Sequence, residues 1–283
     1  MRNFVRITLL SGSVVLGSLG IGACGGSAAA EPVTAQSAAS TAPVGQGTHG
    51  PVKLVGEALG TVALRPDQRT ELEQLAALAE TRHESMRAAR KELVEAIAAQ
   101  VEAGRIDRAA LQPKIDAASQ AFEAVRPGDR AALERMHAIL DSSQREKLVD
   151  ALESKIKAKK GEHNPRAVMQ EWATELKLTD AQRDQIKTLL VAEHRKGGDE
   201  HHAGHHGRHG GKVLQAFKGD RFVMDEVAPA LDASAAARQM SGRFLGLLET
   251  VLPILTPEQR AIAAAKIRAK SGAMDDHFAG PGL

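Results

Sequence analysis

Aromatic side chains are nearly absent from this chain: of 283 residues there is no Tyr, one Trp and six Phe. That excludes a stacking platform for nucleic-acid bases, and any core here must be built from aliphatic side chains. Cysteine occurs once, at Cys24, so no internal disulfide can form. Neither sign of charge dominates, with 37 Lys and Arg against 35 Asp and Glu, which argues against a globally basic nucleic-acid binder. The basic run Lys155 to Lys160 reads as a solvated helix end. No stretch alternates apolar and polar residues well enough for a strand. No Ser-His-Asp order and no phosphate-cradling glycine loop is present, so an enzyme is not expected. Ala, Leu, Glu, Arg and Lys fill the sequence between the breakers, a helical composition.

The only long apolar run is at the start. Arg2 and Arg6 precede an uncharged stretch, Ile7 to Ala23, that has the form of an export signal. It ends in Ile21-Gly22-Ala23-Cys24, which resembles the lipobox of bacterial lipoproteins and makes Cys24 the expected lipidation site. The alternative is a small Cys within an ordinary signal peptide or a membrane helix, for which the run is short and glycine-rich. Cleavage after residue 23 would remove Arg2 and Arg6 and leave 35 basic and 35 acidic residues. A lipid anchor implies a bacterial cell envelope, with the protein facing the periplasm. By resemblance to lipoprotein sorting in enteric bacteria, Gly25 after the cysteine favours the outer over the inner membrane. Residues 24–58, rich in Ala, Ser, Thr, Gly and Pro, read as a flexible tether.

One pattern recurs four times: Leu-x-x-x-Gln-Arg, at Leu64–Arg69, Leu140–Arg145, Leu178–Arg183 and Leu255–Arg260. The first two copies start 76 residues apart (140 minus 64) and the last two 77 apart (255 minus 178). Such spacing reads as a tandem duplication. In the third and fourth copies Thr179 and Thr256 stand three before Gln182 and Gln259, a capping-box arrangement, and Pro257 suits a first helical position. Asp141 can cap the second copy, whereas Arg65 cannot cap the first, leaving Pro66 and Asp67 as its start signal. All four copies are expected to open helices.

Hydrophobic spacing fills in the rest. Leu72, Leu75, Ala79, Met86, Leu93, Ile97 and Val101 mark one long amphipathic helix from about Pro66 to Glu102. Gly104 ends it, Asp107 caps a second helix to about Val125, and Pro127-Gly128 is expected to interrupt before a further helix to Ile139. The expected organisation is all-α: signal peptide 1–23, tether 24–58, helical module 59–160, helical module 161–272 containing a His-rich loop at 194–211, and a disordered tail at 273–283. Ala103 to Asp107 and Lys218 to Phe222 occupy equivalent turns of the two modules, and the last helix fades near Gly272.

These residues resemble the Spy/CpxP, or LTxxQ, family of periplasmic proteins, whose hallmark is a pair of Leu-Thr-x-x-Gln segments. Leu178-Thr179-Asp180-Ala181-Gln182 and Leu255-Thr256-Pro257-Glu258-Gln259 match in full; Leu64 to Gln68 and Leu140 to Gln144 have Arg65 and Asp141 in place of Thr. The resemblance covers about residues 60 to 270. It implies long helical hairpins assembled as a cradle, and an ATP-independent chaperone or stress-response protein that holds unfolded envelope proteins. With two modules in one chain, each could stand for one protomer, giving a monomeric pseudo-dimer.

Two sets of residues are candidate contacts. Arg82, Arg87, Arg90 and Lys91 beside the adaptable Met86 suit a client-binding face, against the plainer reading of a core methionine flanked by solvated charges. His194, His201, His202, His205, His206 and His209 fall within sixteen residues, a crowding of imidazoles suited to Zn, Cu or Ni. The alternatives are an incidental low-complexity linker or a loop that charges in mild acid, since an unperturbed imidazole titrates near about 6.5. No cofactor is required. The competing functional expectations are a chaperone, a heavy-metal sensor or buffer, and a structural envelope lipoprotein.

Overall fold

The computed structural model describes residues 41–162, 165–196, 206–228 and 233–277, and these are helices and turns with no strand among them. The fold is all-α. The helices are α1 (Gly50–Leu59), α2 (Pro66–Ala103), α3 (Arg108–Ile139), α4 (Ser142–Glu162), α5 (Pro165–Glu175), α6 (Asp180–Lys196), α7 (His206–Lys218), α8 (Met224–Val227), α9 (Ala233–Val251) and α10 (Pro257–His277), with a 3₁₀ turn at Leu252–Ile254.

The α2–α3 hairpin is the frame. Gly104 adopts a left-handed φ of 78° and ends α2, and the Asp107 carboxylate accepts from Ala110 N at 3.0 Å to open α3. The two helices run antiparallel, tied by Arg135 to Glu71, Arg82 to Asp129 and Lys114 to Glu92. At a rise of 1.5 Å per residue, the 38 residues of α2 extend about 57 Å. That length separates two hydrophobic cores.

The first core gathers Leu72 of α2, Met136 of α3 and Leu148 of α4 with Leu54 and Leu59 of α1, Phe217 of α7 and Met224 of α8. The second gathers Ile97 and Val101 of α2 and Leu111 of α3 with Leu176, Ile186 of α6, Leu245 of α9 and Ala264 of α10. Each core therefore draws on both halves of the sequence. The two modules expected from the duplication do not keep cores of their own.

Three boundaries differ from expectation. Residues 41–58 are not tether: Val44, Leu54 and Ala58 are buried in the first core, and α1, with Pro51 in its first turn, begins before residue 59. The helical spacing of Val52, Val55 and Leu59 was diluted by surrounding Gly, Ser and Thr. Pro127 and Gly128 do not interrupt α3, although an interior proline costs about 3 kcal/mol. The break is bridged by tertiary contacts. Asp129 accepts from Arg82 Nε and Nη2 at 3.0 and 2.7 Å, His83 Nε2 lies 2.9 Å from both its oxygens, and Gly128 leaves room where a Cβ would sit 2.6 Å from Arg82 Cδ. Finally, α10 continues past Gly272 to His277, because one helical glycine costs only about 1 kcal/mol. The signal peptide, Cys24 and residues 278–283 lie outside the described residues.

Candidate functional surface and the motif junctions

The four motif leucines are all buried, Leu64 and Leu140 in the first core and Leu178 and Leu255 in the second. Burying them brings the motif glutamines together in pairs. In the first junction Gln68 and Gln144 donate to each other's side-chain oxygen at 2.7 and 2.9 Å. Each also caps its own motif and its partner's: Gln68 accepts from Arg65 N at 3.0 Å and donates to Ile139 O at 2.8 Å, while Gln144 accepts from Asp141 N at 3.0 Å and donates to Ala63 O at 2.8 Å. Both amides thus use two donors and two acceptors, their full capacity.

The second junction repeats the pattern. Gln182 and Gln259 exchange hydrogen bonds at 2.8 and 3.1 Å and accept from Thr179 N and Thr256 N at 3.0 and 2.9 Å. Gln182 donates to Ile254 O at 2.8 Å, the counterpart of Ile139, and Gln259 reaches Lys177 O, the counterpart of Ala63, at 3.5 Å. The capping hydroxyls are in place, Thr179 Oγ1 accepting from Gln182 N at 3.2 Å and Thr256 Oγ1 from Gln259 N at 3.3 Å. Asp141 does the same for Gln144 N at 2.9 Å.

The arginine that ends each closing motif crosses to the other half. Arg145 donates to Leu140 O at 2.8 Å and to Asp220 Oδ1 at 3.1 Å, in the turn after α7. Arg260 packs its guanidinium over Gly104, in the turn after α2, where a side chain would collide with it. These are the turns that the sequence paired, Ala103 to Asp107 with Lys218 to Phe222. His137 reinforces the first contact: its Nε2 lies 2.8 Å from Gly219 O, and its ring stacks on Phe222 and meets Phe217 edge-on. In the second core, Lys266 and Lys270 lie 5.2 and 5.5 Å from the Trp172 ring centroid, and Lys266 also pairs with Glu171 and Glu175.

The candidate client contacts divide. Arg82 is engaged by Asp129, and Arg87 pairs with Glu80 at 2.7 Å. Met86 and Arg90 are half-buried and Lys91 is exposed. Partial burial works to raise the Glu80 pKa, but hydrogen bonds from His49 and the nearby Arg87 outweigh it and hold the carboxyl below its usual range. Sequence reasoning missed the exposed apolar side chains Leu78, Met169, Val191 and Phe244, of which Leu78 is 63% exposed. Helical periodicity marks these positions as apolar but cannot say which neighbour is absent.

Of the candidate metal ligands, His201, His202 and His205 lie outside the described residues. His194 belongs to α6 and His206 and His209 to α7, so helix covers part of the expected 194–211 loop. Among the described residues no group of three His, Cys, Asp or Glu side chains is placed to hold a metal, and no helix is long and apolar enough to cross a membrane. Compared with protein-family models, curated proteins and solved structures, the chain finds no match in any of the three.

Proposed function

We propose that the protein is an ATP-independent chaperone of the bacterial envelope, lipid-anchored through Cys24, that holds unfolded or stress-damaged proteins on its helical surfaces. The observation that carries this reading is the pairing of the motif glutamines, Gln68 with Gln144 and Gln182 with Gln259. It gives the Leu-x-x-x-Gln segments, on which the Spy/CpxP resemblance rests, a shared structural role. A holdase needs no reaction centre; it needs accessible apolar side chains on a rigid frame among charges that attract clients early. Leu78, Met169, Val191 and Phe244 supply the first requirement. The junctions supply the second. The interlocked halves also favour a monomer in which each half plays one protomer of a pair.

The test is light scattering of an aggregating client with residues 25–283 and no nucleotide. Suppression at near-stoichiometric ratios is expected, and unabated aggregation at several-fold excess would sink the reading. The crowding of six histidines between 194 and 209 supports a second role in binding Zn, Cu or Ni. Calorimetric titration of wild type beside a variant with all six replaced decides it: equal affinity in the two removes the loop from consideration.

A further inference from the structure

Residues 42–49 lie across α2 over Arg69, Glu73, Ala76 and Glu80, which recur at steps of four, three and four and so form one stripe of the helix. The stripe contacts the main chain of the segment. Arg69 donates to the carbonyls of Ala42 and Pro43, both at 2.8 Å. Glu73 accepts from Gly45 N at 2.7 Å, and Glu80 accepts from His49 N at 3.0 Å. Side chains add fewer contacts: Val44 and Thr48 are buried, and His49 Nδ1 lies 2.7 Å from Glu80 Oε1, whereas Ala42, Pro43, Gln46 and Gly47 are exposed. Val44 N also donates to Gly56 O at 3.0 Å, a helix position where any Cβ would strike the Val44 carbonyl.

This is the chemistry of peptide capture. Arginine offered to carbonyls and carboxylates offered to N–H groups bind a backbone whatever its side chains, while a valine-sized socket and the Glu80 carboxylate against the His49 ring add two side-chain anchors. A segment that gives the first core one valine and is otherwise held by one buried threonine and partly exposed polar contacts belongs to the low-stability end of a fold and opens locally before the rest of that core does. We infer that residues 42–49 are an autoinhibitory strap, a ligand in cis that occupies a main-chain-binding stripe on α2 and leaves it to extended client segments when displaced. The inference rests on the proposed chaperone role for the identity of the displacing ligand, and on the geometry alone for the stripe and its resident.

The test uses residues 25–283 carrying Gly45→Ala. Gly45 has φ +65°, and a Cβ there would lie 2.8 Å from Ala76 Cβ, so the substitution ejects the strap without touching Arg69, Glu73 or Glu80. Gly47→Ala, at φ +83° with nothing within 4 Å, strains the strap without a clash and serves if the first variant misfolds. Hydrogen exchange over 42–49 should accelerate at least tenfold. A labelled peptide of residues 41–50 (TAPVGQGTHG) should bind the variant at least tenfold more tightly than wild type, and Arg69→Met added to the variant should abolish that gain. Client holding should rise in the variant. Unchanged exchange in both variants, or faster exchange with no gain in peptide affinity, overturns the strap. Peptide gain without any client holding by wild type or variant leaves the strap standing and removes the chaperone reading.

Discussion

The first and second glutamine junctions use the same bonds with different sequences. The first lacks Thr at both capping positions, yet Gln68 is 2% exposed and none of its hydrogen bonds exceeds 3.0 Å. The second carries Leu-Thr-x-x-Gln twice, yet its contact to Lys177 O stretches to 3.5 Å. Lys177 closes α5 with a left-handed φ of 49°, its N–H bonding Thr174 O while Leu178 N bonds Ala173 O. Glycine is the residue suited to that position. Leu and Gln therefore carry the junction, and Thr is a replaceable cap. Closeness to the family motif does not rank the geometry.

Four measurements test this division of roles. Gln68→Ala strands the Gln144 amide, Arg65 N and Ile139 O in a buried site. Denaturant unfolding should show a loss of about 3 kcal/mol, against about 1 to 2 kcal/mol for Gln182→Ala at the more open junction. Equal losses would erase the distinction. Next, Thr256→Ala should cost about 1 kcal/mol by removing a hydroxyl cap, whereas Arg65→Ala, with no cap to lose, should be close to neutral. Third, Lys177→Gly should raise stability by about 1 kcal/mol in thermal unfolding by relieving the left-handed lysine; a fall in melting temperature would show that the strain is not what loosens the contact.

The smallest effect concerns Arg108 and Glu249, which tie α3 to α9 beside the second core. The hydrogen bond from Arg108 holds the Glu249 carboxyl below its usual range and raises the Arg108 guanidinium. A depressed carboxylate contributes stability above its unfolded pKa and loses it as pH falls through the folded value. Both side chains are more than a third exposed, so Glu249→Gln should cost only about 0.3 kcal/mol near neutral pH. That cost should vanish once acid protonates the wild-type carboxyl, as paired unfolding curves across pH would show.

Much of this fold is legible because its signals are local. The helix starts at all four motifs, the end of α2 at Gly104 and the Asp107 cap follow from residue types within one turn of each other. The pairing of the two central turns was legible as well, since Gly104 and Gly219 sit at matched distances from their motifs. What could not be read is which half each turn touches. Nothing in the spacing says that Arg145 reaches Asp220 or that Arg260 covers Gly104, because those contacts depend on how the halves cross. The continuity of α3 through Pro127 was hidden for the same reason: Arg82 and His83, more than forty residues away, hold it. Of the client candidates, sequence could not reveal that Arg82 and Arg87 already have acidic partners. The side chains of the six histidines between 194 and 209 lie outside the described residues.

The glutamine pairs are also indifferent to charge. Each is an uncharged amide facing a copy of itself, and no group in it gains or loses a proton between acid and base. The ion pairs elsewhere respond to their surroundings: Arg145 with the 99% exposed Asp220 weakens as salt rises, and acid discharges the Glu249 carboxylate that Arg108 holds. The amide locks respond to neither. As salt or acid rises, the ion pairs between the halves weaken while the glutamine locks within each half stay shut and the shared apolar cores persist.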